Sequence, residues 1–314
     1  MPANQTLVEY TDKQLLTLLA KLGTIRAVGR EIGVPPTTLG DRIRSIDVFP
    51  GFEEYRNRGT TQLPLNQHPV YTSDGDMDLY LASDLHCGSE TCHYEGIVEL
   101  VNEVKDNPKA RLVLGGDQME MQPLDYQDCG RNSDSYIDGQ IIRTQKGLEP
   151  IKDQILLMLS GNHGKARLAK AGIDPDLIVA STLGVPYATV PKVLTIAFKG
   201  LKRDPLKICI GHGKSGGMGD GMPELKRMHH SYPHCNIYAL GHNHSLYANP
   251  NGAITVDDTG KEHYSPWWYC RTGSFMLYAE YARYAMYHPQ PIGYVKAKIR
   301  YGIIESVETV KVQA

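Results

Sequence analysis

From residue 78 onward, short apolar runs alternate with stretches of helical period. The runs are Leu79–Ala82, Arg111–Leu114, Ile155–Leu159, Leu206–Ile210 and Ile237–Leu240, and the helical stretches fall at about 93–106, 134–150, 174–183 and 221–231. Runs of this length are strands rather than helices. Their alternation with helices restricts the chain to an α/β domain with a buried sheet. Two later segments, 269–278 and 293–312, read as strand-rich and are expected to form a second sheet packed on the first.

Each of the five runs, read as consecutive strands, is followed by polar residues able to hold a metal. Asp84 and His86 follow the first. Gly116, Asp117 and Glu120 follow the second; Gly161, Asn162 and His163 follow the third. Gly211 and His212 close the fourth, and Gly241, His242, Asn243 and His244 the fifth. In open α/β sheets, ligands bind beyond the carboxyl ends of the strands, so these residues are expected to converge on one crevice. Carboxylate, imidazole and amide oxygen without thiolate suit hard-to-borderline divalent cations. Two residues apart on extended chain, His242 and His244 point the same way, as do Asp84 and His86.

The order DxH, GDxxE, GNH, GH, GHxH resembles the calcineurin-like metallophosphoesterase family over about residues 78–277. The resemblance implies a fold of two packed mixed β-sheets flanked by helices. It implies hydrolysis of phosphate esters through a hydroxide activated by two metals. Asp84, His86 and His244 would hold one metal, Asn162, His212 and His242 the other, and Asp117 both. His163 would protonate the leaving oxygen or stabilise charge in the transition state, and Glu120 would orient it. The family usually has Asp where Glu120 stands. Mn²⁺ is the expected cofactor, with Fe, Zn and Ni open.

Gly164 departs from the pattern, because many family members carry Asp or Glu directly after GNH. Lys165 and Arg167 follow it, as phosphate contacts or as solvated surface charge. Gly273-Ser274 matches a Gly-Ser common in the family, and Arg271 beside it reads as a phosphate contact or a structural ion pair. The glycine-rich stretch Gly213–Gly221 lacks the P-loop pattern and reads as a loop beside His212. His68, His93, His229, His230, His234, His263 and His288 lie outside the motifs and read as ordinary core or surface histidines.

Residues 1–46 read as a small all-α domain. Thr11 can cap a first helix carrying Leu15, Leu16, Leu18, Leu19 and Leu22, ended by Gly23; Ile25, Val28 and Ile32 space a second, stopped by Gly33; Pro35 and Pro36 open a third containing Leu39, Ile43 and Ile46. This is a helix-turn-helix outline, and the Val-Gly-Arg-Glu-Ile-Gly-Val-Pro run resembles that of site-specific resolvases and phage regulators. Thr37, Thr38, Arg42 and Arg44 on the third helix, with Arg26 and Arg30 on the second, are residue types that contact DNA. Residues 47–77, rich in Pro, Gly, Asn, Gln and Thr, read as a linker to the phosphoesterase domain at 78–314.

Formal net charge is −2, so attraction to nucleic acid must come from a local patch. The six cysteines form no CxxC and read as reduced thiols of a cytoplasmic protein; no apolar run long enough for a membrane span occurs. Aromatic residues crowd 264–301, either to stack unpaired bases or to pack a sheet. The expected function is a metal-dependent phosphodiesterase or nuclease guided to DNA by the N-terminal segment. The alternatives are a phosphomonoesterase and a DNA-binding regulator with a non-catalytic phosphoesterase-like domain. Oligomeric state is open.

Overall fold

The computed structural model describes residues 62–121, 136–164, 172–214, 221–278, 280–284 and 286–313, with 25–45 and positions 10, 11, 14, 15, 18 and 22 before them. The chain divides into two compact units, Met1–Thr60 and Thr61–Ala314.

In the first unit, Thr11 and Gln14 exchange hydrogen bonds in a capping box. The Gln14 N–H donates to Thr11 Oγ1 and the Thr11 N–H to Gln14 Oε1. Helix α1 (Ile25–Ile32) ends at Gly33, whose φ of +70° is the left-handed conformation that glycine supplies at a helix end. Val34 N–H then donates back to the Gly29 carbonyl, and α2 (Pro36–Ser45) follows. Leu15, Val28, Ile32, Val34 and Leu39 form the buried cluster of this unit.

The second unit carries β1 (Val70–Ser73), β2 (Met77–Ala82), α3 (Tyr94–Asp106), β3 (Ala110–Leu114), α4 (Ile137–Leu148), β4 (Ile155–Leu159), α5 (Pro175–Leu183) and β5 (Tyr187–Ala188). It continues with β6 (Lys192–Phe198), β7 (Leu206–Gly211), α6 (Met222–Ser231), β8 (Ile237–Leu240), β9 (Leu246–Val256), β10 (Glu262–Thr272), α7 (Glu280–Tyr284), β11 (Gly293–Arg300) and β12 (Ile303–Lys311). One sheet has the order β12-β11-β2-β3-β4-β5 and the other β1-β6-β7-β8-β10-β9. Both are mixed. The β2–β5 ladders are parallel with β11 and β12 antiparallel, and β7, β8 and β10 are parallel with β6 and β9 antiparallel.

The two-residue period of a strand sorts the core into layers. Leu79 and Leu81 of β2 face Ile208, Ile210, Ile237 and Cys270 of the opposite sheet. Tyr80 and Ala82 face the other way, onto Ile97, Leu100 and Val104 of α3. The outer face of the second sheet, through Cys209, Tyr238 and Leu240, packs on Leu225 and Met228 of α6. The result is two packed mixed sheets with helices outside both.

Three expectations need correction. Residues 62–77 are not a spacer. Strand β1 pairs with β6, and the buried Lys192 ammonium donates to the carbonyls of Pro64, Leu65 and Gln67. The late segments do not make a sheet of their own either. β11 and β12 join β2, whereas β10 joins β8, so each sheet mixes early and late chain. The ligand-bearing strands are likewise not consecutive, because β5 and β6 lie between β4 and β7. Among the described residues, no helix is long and apolar enough to cross a membrane.

Candidate metal centre

The two sheets bring the carboxyl ends of β2, β3 and β4 against those of β7 and β8. Past β2 and β3 the chains stay zipped, Asp84 N–H donating to the Gly116 carbonyl and His86 N–H to that of Asp117. The backbone then turns in an uncommon way. Asp84, His86, Asp117, His242 and His244 all have φ between +48° and +73°. Left-handed conformations at non-glycine residues cost roughly 1–3 kcal/mol each and collect where function requires them. Gly161 is required by close approach, since a Cβ there would lie 1.9 Å from Asp117 Oδ1.

Three ligand groups result. The donor atoms of Asp84, His86 and His244 lie within 4.8 Å of one another, as do those of Asp117, His212 and His242, and those of His86, Asp117 and His163. Asp84 is fully buried. Its Oδ2 accepts from the Ser83 hydroxyl and from His242 N–H at 2.9 Å, which leaves Oδ1 with no hydrogen-bond partner. That oxygen lies 3.5 Å from His244 Nε2 and 3.7 Å from His86 Nε2, while the two nitrogens are 3.2 Å apart. His86 Nδ1 is committed to Glu120 Oε2 at 2.7 Å, so in the neutral ring Nε2 is a bare lone pair facing these atoms.

The second group repeats the pattern. His212 Nδ1 donates to the Gly115 carbonyl at 3.0 Å, and Nε2 faces Asn162 Oδ1 at 2.8 Å and Asp117 Oδ2 at 3.0 Å. Lone pairs crowded together in low dielectric require a positive charge between them. The same demand shows in the proton equilibria. Burial disfavours a charged His86, but attraction to the nearby Asp84 and Glu120 carboxylates outweighs burial and raises its pKa to about 10. His212 is raised to about 9, burial again being outweighed, here by Asp117 and Asp84. Burial works against ionised Asp84 and Asp117, yet the surrounding imidazoles hold both carboxyls below the usual range. His242 is lowered by burial and by His212. An orphaned carboxylate oxygen, bare imidazole nitrogens and a mixed O/N donor set fit divalent cations.

His163 lies at the rim of the site, with its side chain 19% exposed. Its backbone N–H donates to Asp117 Oδ1 at 2.9 Å, and its Nδ1 lies 3.0 Å from the Glu120 carbonyl and 3.2 Å from Glu120 Oε1. Glu120 therefore lies between two rings, one carboxylate oxygen against His163 and the other against His86. It is 3% exposed. Burial opposes its charge, but the bonds from His163 and His86 keep it ionised.

Arg271 is buried in an ion pair with Glu224, not directed at the crevice. Lys165, Arg167 and the stretch 215–220 lie outside the described residues, as does the Arg44 side chain. On α1 and α2, Arg26, Arg30 and Thr37 are exposed, whereas Thr38 and Arg42 are half-buried. His93 caps α3, its Nδ1 accepting from Gly96 N–H. Among the described residues, no cysteine joins a ligand group. The sequence reading missed Asp176 on α5, whose carboxyl is buried below the Asn162 turn and accepts from Gly161 N–H at 3.3 Å. An acid in a helix's first turn carries no signal of such a place.

No family model matches the chain, and no curated protein matches it. Solved structures that resemble it include Vps29 of Chaetomium thermophilum, at 9% identity over 76% of this chain and 97% of that one, with a TM-score of 0.36. Another is protein TM1076 of Thermotoga maritima, at 14% identity over 75% of this chain and 99% of that one, with a TM-score of 0.34. Likenesses this loose transfer no activity to this chain.

Proposed function

We propose that this chain is a two-metal phosphoesterase of the calcineurin-like type, acting on phosphodiester bonds of nucleic acid. The observation that carries the reading is Asp117 standing between two ligand groups, with the orphaned Asp84 Oδ1 in one and the doubly faced His212 Nε2 in the other. Asp84, His86 and His244 would hold one cation, Asn162, His212 and His242 the second, and Asp117 would serve both. Once bound, two such ions supply Lewis acidity toward phosphate oxygens and an activated water near neutral pH. The protein contributes the rest. Gly115 fixes the His212 tautomer through Nδ1, and Glu120 does the same for His86. His163, at the rim, has its Nε2 3.9 Å from Asp117 Oδ2, beside the ion sites, and delivers a proton to the leaving oxygen. Glu120 offsets the charge on the imidazolium that does so. No side chain forms a bond to phosphorus.

The nucleic-acid part of the reading rests on the first unit, where α1 and α2, read as a helix-turn-helix, present Arg26, Arg30 and Thr37 to solvent. Hydrolysis of bis-para-nitrophenyl phosphate against the mono-ester, with Mn²⁺ added, tests the site. Preference for the diester is expected, and preference for the mono-ester replaces the reading with a phosphatase. Salt-dependent retention on DNA, lost on removal of residues 1–60, tests the first unit. Retention without any hydrolysis replaces the enzyme with a regulator.

A further inference from the structure

A guanidinium buried completely, as that of Arg271 is, must find acceptors for its planar fork inside the protein. Arg271 stands on β10 next to β8. Its Nη1 donates to the Gly241 carbonyl at 2.7 Å, and its Nη2 donates to the Gly221 carbonyl at 2.8 Å and pairs with Glu224 Oε2 at 3.2 Å. The other oxygen of Glu224 accepts the Lys214 N–H at 2.8 Å. One ion pair therefore fastens the backbone directly before His242 and the backbone two residues after His212. Gly221 is left-handed, and a Cβ on it would lie 1.6 Å from Arg271 Nη2, so glycine there is what admits the guanidinium.

We propose that the Arg271–Glu224 pair is the positioning device of one ion site, that of Asp117, His212 and His242. This rests on the two-metal reading above. Two of the three members of that group, His212 and His242, sit on backbone that the pair holds. In the other group His244 lies on the same held loop, but Asp84 accepts from the Ser83 hydroxyl as well as from His242 N–H, and His86 is fixed by Glu120. A lysine cannot replace the arginine. A single ammonium does not reach two carbonyls and a carboxylate in the fixed directions of a guanidinium fork.

The test titrates the full chain, stripped of metal, with Mn²⁺ by calorimetry, and follows spin coupling between neighbouring ions by paramagnetic resonance. Wild type is expected to take two ions that couple. Arg271→Lys is expected to bind one ion as before and the second roughly ten- to hundredfold more weakly, the usual effect of losing an outer support of a metal site. Coupling then disappears at ion concentrations that saturate wild type. Glu224→Gln keeps an acceptor for Lys214 and loses the charge, so it moves the same way by less; it carries the test if Arg271→Lys does not fold, as judged by circular dichroism. Unchanged affinity for the second ion in a folded variant, or equal weakening of both ions, overturns the proposal. A wild-type chain that takes no pair of ions overturns the two-metal reading itself, and the wild-type arm alone reports that outcome.

Discussion

Replacing Asp176 with Asn should stabilise the larger unit, by an amount that grows with pH. Burial raises the Asp176 carboxyl from 3.8 to about 8, helped by the charges of Asp117 and Asp174. Between those values the folded state holds a proton that the unfolded state has released. Folding stability therefore falls as pH rises through this window, by up to about 1.4 kcal/mol per pH unit, and levels off above it. Asparagine has the same shape, can accept the Gly161 N–H, and does not ionise. The stability gap between variant and parent should widen by up to roughly 3 kcal/mol from pH 5 to pH 7 and stop widening near pH 8. Urea unfolding in the presence of chelator measures it, with fluorescence of Trp267 and Trp268 reporting on the unit Thr61–Ala314. Divalent cations should shrink the gap, because they offset the charge of Asp117. A gap that stays constant from pH 5 to pH 8 would refute the reasoning, since Asp176 would then be ionised and well partnered in the fold.

Three further outcomes are expected. His163→Ala should keep its metals and lose about two to four orders of magnitude in turnover, the scale of a lost general acid; wild-type turnover would remove His163 from the mechanism. Asp117→Asn should lose both ions or their spacing, and metal analysis showing two tightly held ions would count against a bridging role. Metal binding should release protons, because His86 and His212 are protonated in the metal-free site up to about pH 10 and 9. Affinity should accordingly climb as pH rises toward those values. Calorimetry in buffers of different ionisation enthalpy counts the protons, and a pH-independent affinity would contradict the balance of charge described for the site.

The site was legible in the sequence to the extent that it lies at strand ends. Apolar runs mark β2, β3, β4, β7 and β8, and the residues that leave each strand are few and chemically distinctive. Helices α3, α4, α5 and α6 fall in the stretches expected between those runs, although α5 has almost no one-sided apolar face of its own. Strand β9 was hidden because it is an edge strand reading Asn-Pro-Asn-Gly in its middle, with neither alternation nor an apolar run. Strand β1 was hidden by its exposed Val70 and its polar neighbours. Sheet membership was hidden for a different reason. Which late strand joins which sheet depends on long-range pairing, and that leaves no local periodicity. The supports of the site fall in the same class. Glu224 reads as a first-turn acid and Arg271 as a cation of either use, and only the fold joins them.

The most direct test of the central claim is anomalous diffraction from crystals of the chain grown with Mn²⁺. Two peaks about 3.5–4 Å apart, with Asp117 reaching both, Asp84 Oδ1 on one and His212 Nε2 on the other, are the expected result. A single peak, no peak, or a pair of ions that leaves Asp117 uncoordinated would contradict it.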